Sequence, residues 1–114
     1  MVDDDPFVRK ALERLLRSAG FSVESFPSGA EFLRSADDRE PDCVVLDLHM
    51  PDVNGFEVQA RLAHAHAGVP VVVITGHDTP ESRSRVLAGG AKSYLSKPVD
   101  EKTLLKAIDA AMVP

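Results

Sequence analysis

The chain has 114 residues, 44% of them hydrophobic, with seven glycines and eight prolines, a composition that fits one compact soluble domain spanning residues 1–114. A formal net charge of -5 and a pI near 5.2 argue against a nucleic-acid-binding surface, since phosphate contacts need clustered Lys and Arg. No 18-residue apolar run and no basic segment leading into an apolar one occurs, so the sequence reads as cytoplasmic and without a membrane span.

From Pro6, the residues Val8, Leu12, Leu15, Leu16 and Ala19 recur at helical spacing, with Asp5 placed to cap the start and Gly20 to stop the helix. The stretch "FSVESF" at 21–26 opens with Phe21 and Val23 in alternation and predicts a short strand. Ser28 and Glu31 have the spacing of a capping box for a second helix that runs to about Asp37. "CVVLD" at 43–47 is a continuous apolar run ending on an acid, as in a strand covered on both faces, and its Cys43 reads as a small buried core thiol with no partner for a disulfide. A turn built from Pro51, Asn54 and Gly55 leads into a third helix carrying Phe56, Val58, Leu62 and Ala65. "PVVVIT" at 70–75 is a second fully apolar strand; Thr79 and Pro80 open a fourth helix that ends near Gly89 and Gly90. "SYLS" at 93–96 predicts a last strand, and Asp100 caps a fifth helix with Leu104, Ile108, Ala111 and Met112 on one face.

Short apolar strands alternating with helices predict a parallel sheet between two helical layers, in which ligand-binding groups gather at the carboxyl ends of the strands. Asp47, Thr75 and Lys97 each fall at such an end, as do Asp3 and Asp4, so five polar side chains face one crevice. Several carboxylates in a crevice of reduced dielectric need a compensating cation. Oxygen ligands without a Cys or His cluster point to Mg²⁺, or Mn²⁺, rather than zinc. A carboxylate beside such an ion, an ammonium and a hydroxyl has the parts that phosphoryl transfer requires.

The motifs "VDDDPFVRKAL", "VVLDLHMPDVNG", "VVVITGH" and "YLSKP" together resemble the receiver domain of two-component response regulators, over essentially the whole chain. Among receivers the likeness is to those of LuxR-type and nitrogen-fixation regulators, ahead of hybrid sensor kinases and stand-alone receivers. The resemblance implies a flavodoxin-like (βα)5 doubly wound sheet of order 2-1-3-4-5. It implies that Asp47 is the phosphoacceptor for a phosphohistidine on a sensor histidine kinase or phosphotransfer protein, that Asp3 and Asp4 hold the metal with Asp47, and that the backbone carbonyl of His49 is a further ligand. Thr75 is then the switch hydroxyl, Lys97 the lysine that pairs with the phosphoryl group, Tyr94 the switch aromatic, and Lys97-Pro98 a cis peptide. Such a domain is not an enzyme beyond Mg²⁺-dependent self-phosphorylation and its own dephosphorylation. Closure of the Thr75 loop, with Tyr94 filling the vacated space, would remodel the face made by the fourth helix, the last strand and the fifth helix, which then dimerises or releases an output domain.

Other readings fit less well. A dehalogenase-type phosphatase wants a second Asp two residues after its nucleophile, where this chain has His49; a flavin-binding flavodoxin wants a Ser/Thr/Gly-rich phosphate loop where this chain has "DDDPF". A receiver-like docking module that is never phosphorylated keeps no need for the full set of side chains. His64 and His66 do not share a helix face and make no metal pair, His77 reads as a solvated loop residue, Phe56 as a core contact, and Arg83 and Arg85 as a solvated face or an inter-subunit ion pair.

The chain departs from the family at its first strand, where only Met1 and Val2 precede the acidic pair. A central strand so short loses ladder hydrogen bonds and core volume. Either the chain begins late, or a swapped segment from a neighbour fills the gap; the isolated chain is then expected to be marginally stable or oligomeric.

Overall fold

The computed structural model describes residues 1–50 and 53–113; Pro51, part of the predicted turn, lies outside them. Among the described residues five helices form, four of them on the caps read from the sequence and α3 on Asn54, read there as a turn residue. Helix α1 (Pro6–Ser18) starts on Asp5, whose carboxylate accepts from the Phe7 and Val8 amides, and α2 (Gly29–Asp38) on Ser28, which accepts from Glu31. Helix α3 (Gly55–Ala65) starts on Asn54, α4 (Pro80–Ala88) on Thr79 and α5 (Glu101–Met112) on Asp100, each accepting from the amide three residues on. These side chains satisfy amide groups that the first helical turn leaves without partners.

Strands β1 (Val44–Asp47), β2 (Val71–Thr75) and β3 (Ser93–Ser96) form a parallel sheet in that order. The register pairs Asp47 with Ile74 and Thr75 with Ser96, which brings the polar ends of adjacent strands to one edge. Every residue of β1 and β2 is buried, because helices cover both faces. Val44, Leu46 and Val73 point into a core with Phe32 of α2, Val58 and Leu62 of α3 and Val86 of α4. Val45, Val72 and Ile74 point the other way, to Leu12 and Leu16 of α1 and Leu104 and Ile108 of α5. This is the flavodoxin-like doubly wound arrangement.

The other side of β1 departs from expectation. Residues 21–26 do not form the predicted strand, and the first strand is a single residue: Val2 makes parallel bridges to Phe26 on one side and Leu46 on the other. Val2 N–H donates to Val45 O at 2.8 Å and Asp47 N–H to Val2 O at 2.8 Å; Asp3 N–H donates to Phe26 O at 3.1 Å and Phe26 N–H to Met1 O at 2.9 Å. The order 2-1-3-4-5 is therefore kept, with its first two strands reduced to one pleat. Residues 21–25 pair with no strand among the described residues, which leaves a gap beside the Val2 pleat. A cavity of about 270 Å³ lies in that gap, lined by Met1, Val23, Glu24, Cys43 and Val45 among others. The Met1 ammonium donates to Glu24 O at 3.1 Å, and burial pushes its pKa down to about 6. Cys43 borders the cavity and is half-buried rather than enclosed in the core; burial raises its thiol pKa to about 11, which leaves it protonated and unreactive at neutral pH.

Among the described residues no helix is long and apolar enough to cross a membrane.

Candidate functional site

Two segments deliver acid to the carboxyl end of the sheet. Asp47 is the last residue of β1 and is 3% exposed; Asp3, one residue past the Val2 pleat, is fully buried, while Asp4 faces solvent. One carboxylate oxygen from each of Asp3, Asp4 and Asp47 lies within 4.8 Å of the others. Asp3 is fixed from both ends: its Oδ1 accepts from Asp5 N–H at 2.9 Å, and its carbonyl accepts from Arg9 Nη1 at 2.8 Å. Behind Asp47 the chain turns back sharply, Gly55 N–H donating to Leu48 O at 2.7 Å. A side chain at residue 55 would meet Leu48 Cα at 2.6 Å, so the start of α3 approaches β1 this closely only with glycine.

The cation comes from the far side. Lys97 follows β3, its N–H donating to Thr75 O at 2.7 Å, and the Lys97-Pro98 peptide is cis as the sequence implied. Its Nζ lies 3.0 Å from Asp3 Oδ2 and 3.4 Å from Asp47 Oδ1. Burial works against the Lys97 charge, but pairing with Asp3 and attraction to Asp47 outweigh it and raise the Lys97 pKa. Asp47 is pushed up to about 7, first by burial and then by the neighbouring Asp3 carboxylate, with Lys97 opposing both. One ammonium does not neutralise the site.

That deficit is the test of whether a metal fits. Asp3 Oδ2 is buried and accepts no hydrogen bond among the described residues; its 3.0 Å contact with Lys97 is an ion pair without hydrogen-bond alignment. A buried anionic oxygen left in this state is costly, and a hard divalent cation held by Asp3, Asp4 and Asp47 is the group that oxygen ligands of this charge accommodate. The residues fit Mg²⁺.

Thr75 stands at the same end of β2, fully buried, its Oγ1 accepting from His77 N–H at 3.0 Å. His49 and His77 are both exposed, their rings edge to face with centroids 5.7 Å apart. Thus the loop histidine of the sequence reading is tied to Thr75 by its backbone and to His49 by its ring. Tyr94 is 5% exposed, and its hydroxyl makes no hydrogen bond. The ring is already inside, so the inward movement expected of it has little distance left to cover. Arg83 lies over it, Cζ 5.0 Å from the centroid, and Arg85 lies over Phe56 at 3.9 Å. These arginines were read as a solvated face; they are exposed, yet each roofs an aromatic ring of another element. His66 makes no metal pair with His64: its two ring nitrogens face Glu40 Oε2 at 2.8 Å and Asp37 Oδ1 at 3.1 Å.

One buried polar residue was not singled out from the sequence. Gln59 of α3 is 6% exposed and donates from Nε2 to Val86 O of α4 at 2.7 Å. Its signal was present: it lies next to Val58 and four residues after Gly55 on the stripe that reaches Leu62, a polar residue on a buried face.

The pattern of the response regulator receiver domain matches residues 1–109. Nodulation protein W of Bradyrhizobium diazoefficiens is 38% identical over 97% of this chain and 49% of its own length, and the response regulator protein TodT of Pseudomonas putida is 37% identical over 98% and 49%. The chain thus spans about half the length of these curated relatives. Among solved structures, the chemotaxis protein CheY4 of Vibrio cholerae superposes with a TM-score of 0.90 at 30% identity, covering 96% of this chain and 93% of that one. A CheY-like receiver domain protein from Methanospirillum hungatei reaches a TM-score of 0.92 at 26% identity, covering 97% and 89%. On sequence and fold alike, the chain belongs to the response regulator receiver domains, the phosphoacceptor modules of two-component signalling.

Proposed function

We propose that Asp47 is the phosphoacceptor, taking a phosphoryl group from a phosphohistidine on a sensor histidine kinase or phosphotransfer protein. The observation that carries this reading is the Lys97 ammonium 3.0 Å from Asp3 and 3.4 Å from Asp47, two buried carboxylates. An Asp47 carboxylate oxygen attacks phosphorus, the bond from phosphorus to the donor's imidazole nitrogen breaks, and the nitrogen keeps the electron pair and is reprotonated from solvent. Lys97 is within ion-pairing reach of the oxygen that gains the group, and it stabilises charge spread over the transferred phosphoryl oxygens. Asp3, Asp4, Asp47 and the His49 carbonyl would hold Mg²⁺, which would supply Lewis-acid neutralisation of that same charge. Thr75 gives up the His77 amide to donate its hydroxyl to the phosphoryl group.

The product carries about -1.5 to -2 charges where one carboxylate stood, and the loop from Thr75 to Thr79 rearranges to meet it. The exposed surface of α4, β3 and α5 then changes, for dimerisation or release of an output domain. No turnover of an external substrate is involved.

Intact-mass measurement after incubation with acetyl phosphate and Mg²⁺ tests the assignment. One phosphoryl group is expected on the native chain and none on Asp47→Asn, a loss beyond about 100-fold. Labelling of Asp47→Asn at the native rate overturns it.

A further inference from the structure

Helix α4 is the least embedded of the five. Of its nine residues only Val86 is buried, and Leu87 is 42% exposed. Its first half is held from outside by one side chain, Arg83, which rests on Tyr94 at 5.0 Å, and past the helix midpoint Arg85 rests on Phe56 of α3 at 3.9 Å; such exposed stacks bias a population only about 2–5-fold each. Its last turn is held quite differently. Val86 O accepts from buried Gln59 at 2.7 Å and from Ala91 N–H at 3.3 Å, while Gly90 N–H donates to Leu87 O at 3.1 Å and Gly90 takes φ +100°. Both lone pairs of one carbonyl are occupied, one by a side chain of the preceding helix. Gly89 completes the fit: a Cβ there would stand 2.9 to 3.1 Å from the Gln59 amide atoms.

We propose that the Gln59 amide tethers the last turn of α4 to α3, and that α4 pivots there while its first half, which follows the Thr75 loop, is the part that moves. The direction of movement rests on the Asp47 reading above; the tether does not. The route is short. If Thr75 Oγ1 releases His77 N–H, the freed segment is the one that leads to Thr79, the cap of α4. Displacement of that cap breaks the Arg83 stack before it loads the buried amide bond, because a desolvated hydrogen bond to a carbonyl is costlier to open than an exposed stack. Gln59 is a positioning residue, acting on the output face through α4.

Hydrogen exchange resolved along α4 tests this on the whole chain, with and without beryllofluoride and Mg²⁺ as a stable mimic of the phosphoryl group. In the native chain we expect amides 81–84 to change at least 5-fold on adding beryllofluoride, and amides 86–91 to stay within 2-fold. Gln59→Met keeps length and apolar packing but donates nothing, and should speed exchange at 86–91 at least 10-fold without any ligand. Gly89→Ala attacks the same bond from the other helix, where the flexible end of Gln59 can yield without unfolding, and should do likewise. Native-like exchange at 86–91 in both variants refutes the tether, and a uniform response along α4 in the native chain refutes the pivot. If acetyl phosphate fails to label Asp47, it is the phosphoacceptor reading that fails, and the unliganded variants still decide the tether.

Discussion

The two sides of β1 are built to different standards. Toward β2 and β3 the sheet has continuous ladders, buried on both faces, and this side supplies Asp47, Thr75 and, just past its end, Lys97. Toward residues 21–26 it has one pleat at Val2, backed by a cavity of about 270 Å³, and this side supplies Asp3 and Asp4. Asp47, the proposed acceptor, and Lys97 therefore stand on the side with continuous ladders, while the acidic pair of the proposed metal site hangs on four backbone hydrogen bonds made by Met1, Val2 and Asp3. Metal affinity should follow the local stability of the amino-terminal segment, and the acceptor's position should not.

Truncating one valine on each side is the sharpest way to break this contrast. Val2→Ala and Val73→Ala both remove fully buried side chains and should each cost about 2–3 kcal/mol in urea denaturation. Only Val2→Ala should also weaken Mg²⁺ binding, read by titration at a temperature where both variants are folded. Equal loss of Mg²⁺ affinity in the two variants would erase the distinction. Filling the gap works in the opposite sense: two or three apolar residues placed ahead of Met1 have the cavity to occupy and end the burial of the Met1 ammonium. A gain of about 2 kcal/mol with tighter Mg²⁺ binding is expected, and no gain would mean the single pleat is sufficient.

A third measurement probes Asp47, where the two sides meet. Asp47 has a folded pKa of about 7, raised by burial and by Asp3 above the ordinary 3.8, so its neutral form is the one the fold favours. Its contribution is fully present below about pH 3.8 and is lost as pH rises through about 7. In EDTA, Asp47→Asn should therefore be more stable than the native chain at pH 8, by about 1–2 kcal/mol, and show no such advantage at pH 4. A smaller effect tests the tie between the halves. His66 on α3 reaches Asp37 of α2 and Glu40 of the following loop, and pairing with these carboxylates, Glu40 first, raises its pKa. That contribution is present below the unfolded value of 6.5 and disappears as pH rises through the folded one. His66→Gln should lose a slight stability at pH 6 and nothing at pH 9; an unchanged difference between the two would show that the ring is not charged in the pair.

What the sequence disclosed and what it concealed divide along the same line. Caps are local, a side chain and an amide three residues apart, so Asp5, Ser28, Thr79 and Asp100 marked their helices without any knowledge of the fold. The site was legible because parallel strands put their carboxyl ends together, which placed Asp47, Thr75 and Lys97 side by side from spacing alone. Residues 21–26 were misread because a strand is a relation between two segments, and the alternation of Phe21 and Val23 says nothing about whether a neighbour exists. The stacks of Arg83 and Arg85 and the ion pairs of His66 were not foreseen for a similar reason: their partners Tyr94, Phe56, Asp37 and Glu40 lie on other elements. Gln59 was visible as a polar residue on an apolar stripe, but its partner carbonyl carries no sequence signal.

Tyr94 is the only tyrosine, and the chain has no tryptophan, so near-ultraviolet emission comes from a single ring enclosed between β3 and the Arg83 guanidinium. The protein consequently carries its own optical gauge of the surface where α4 meets β3. Collisional quenching by acrylamide follows that ring with no dye attached, and stopped-flow recording would time any displacement of the first half of α4 against the arrival of phosphate at the far end of the sheet.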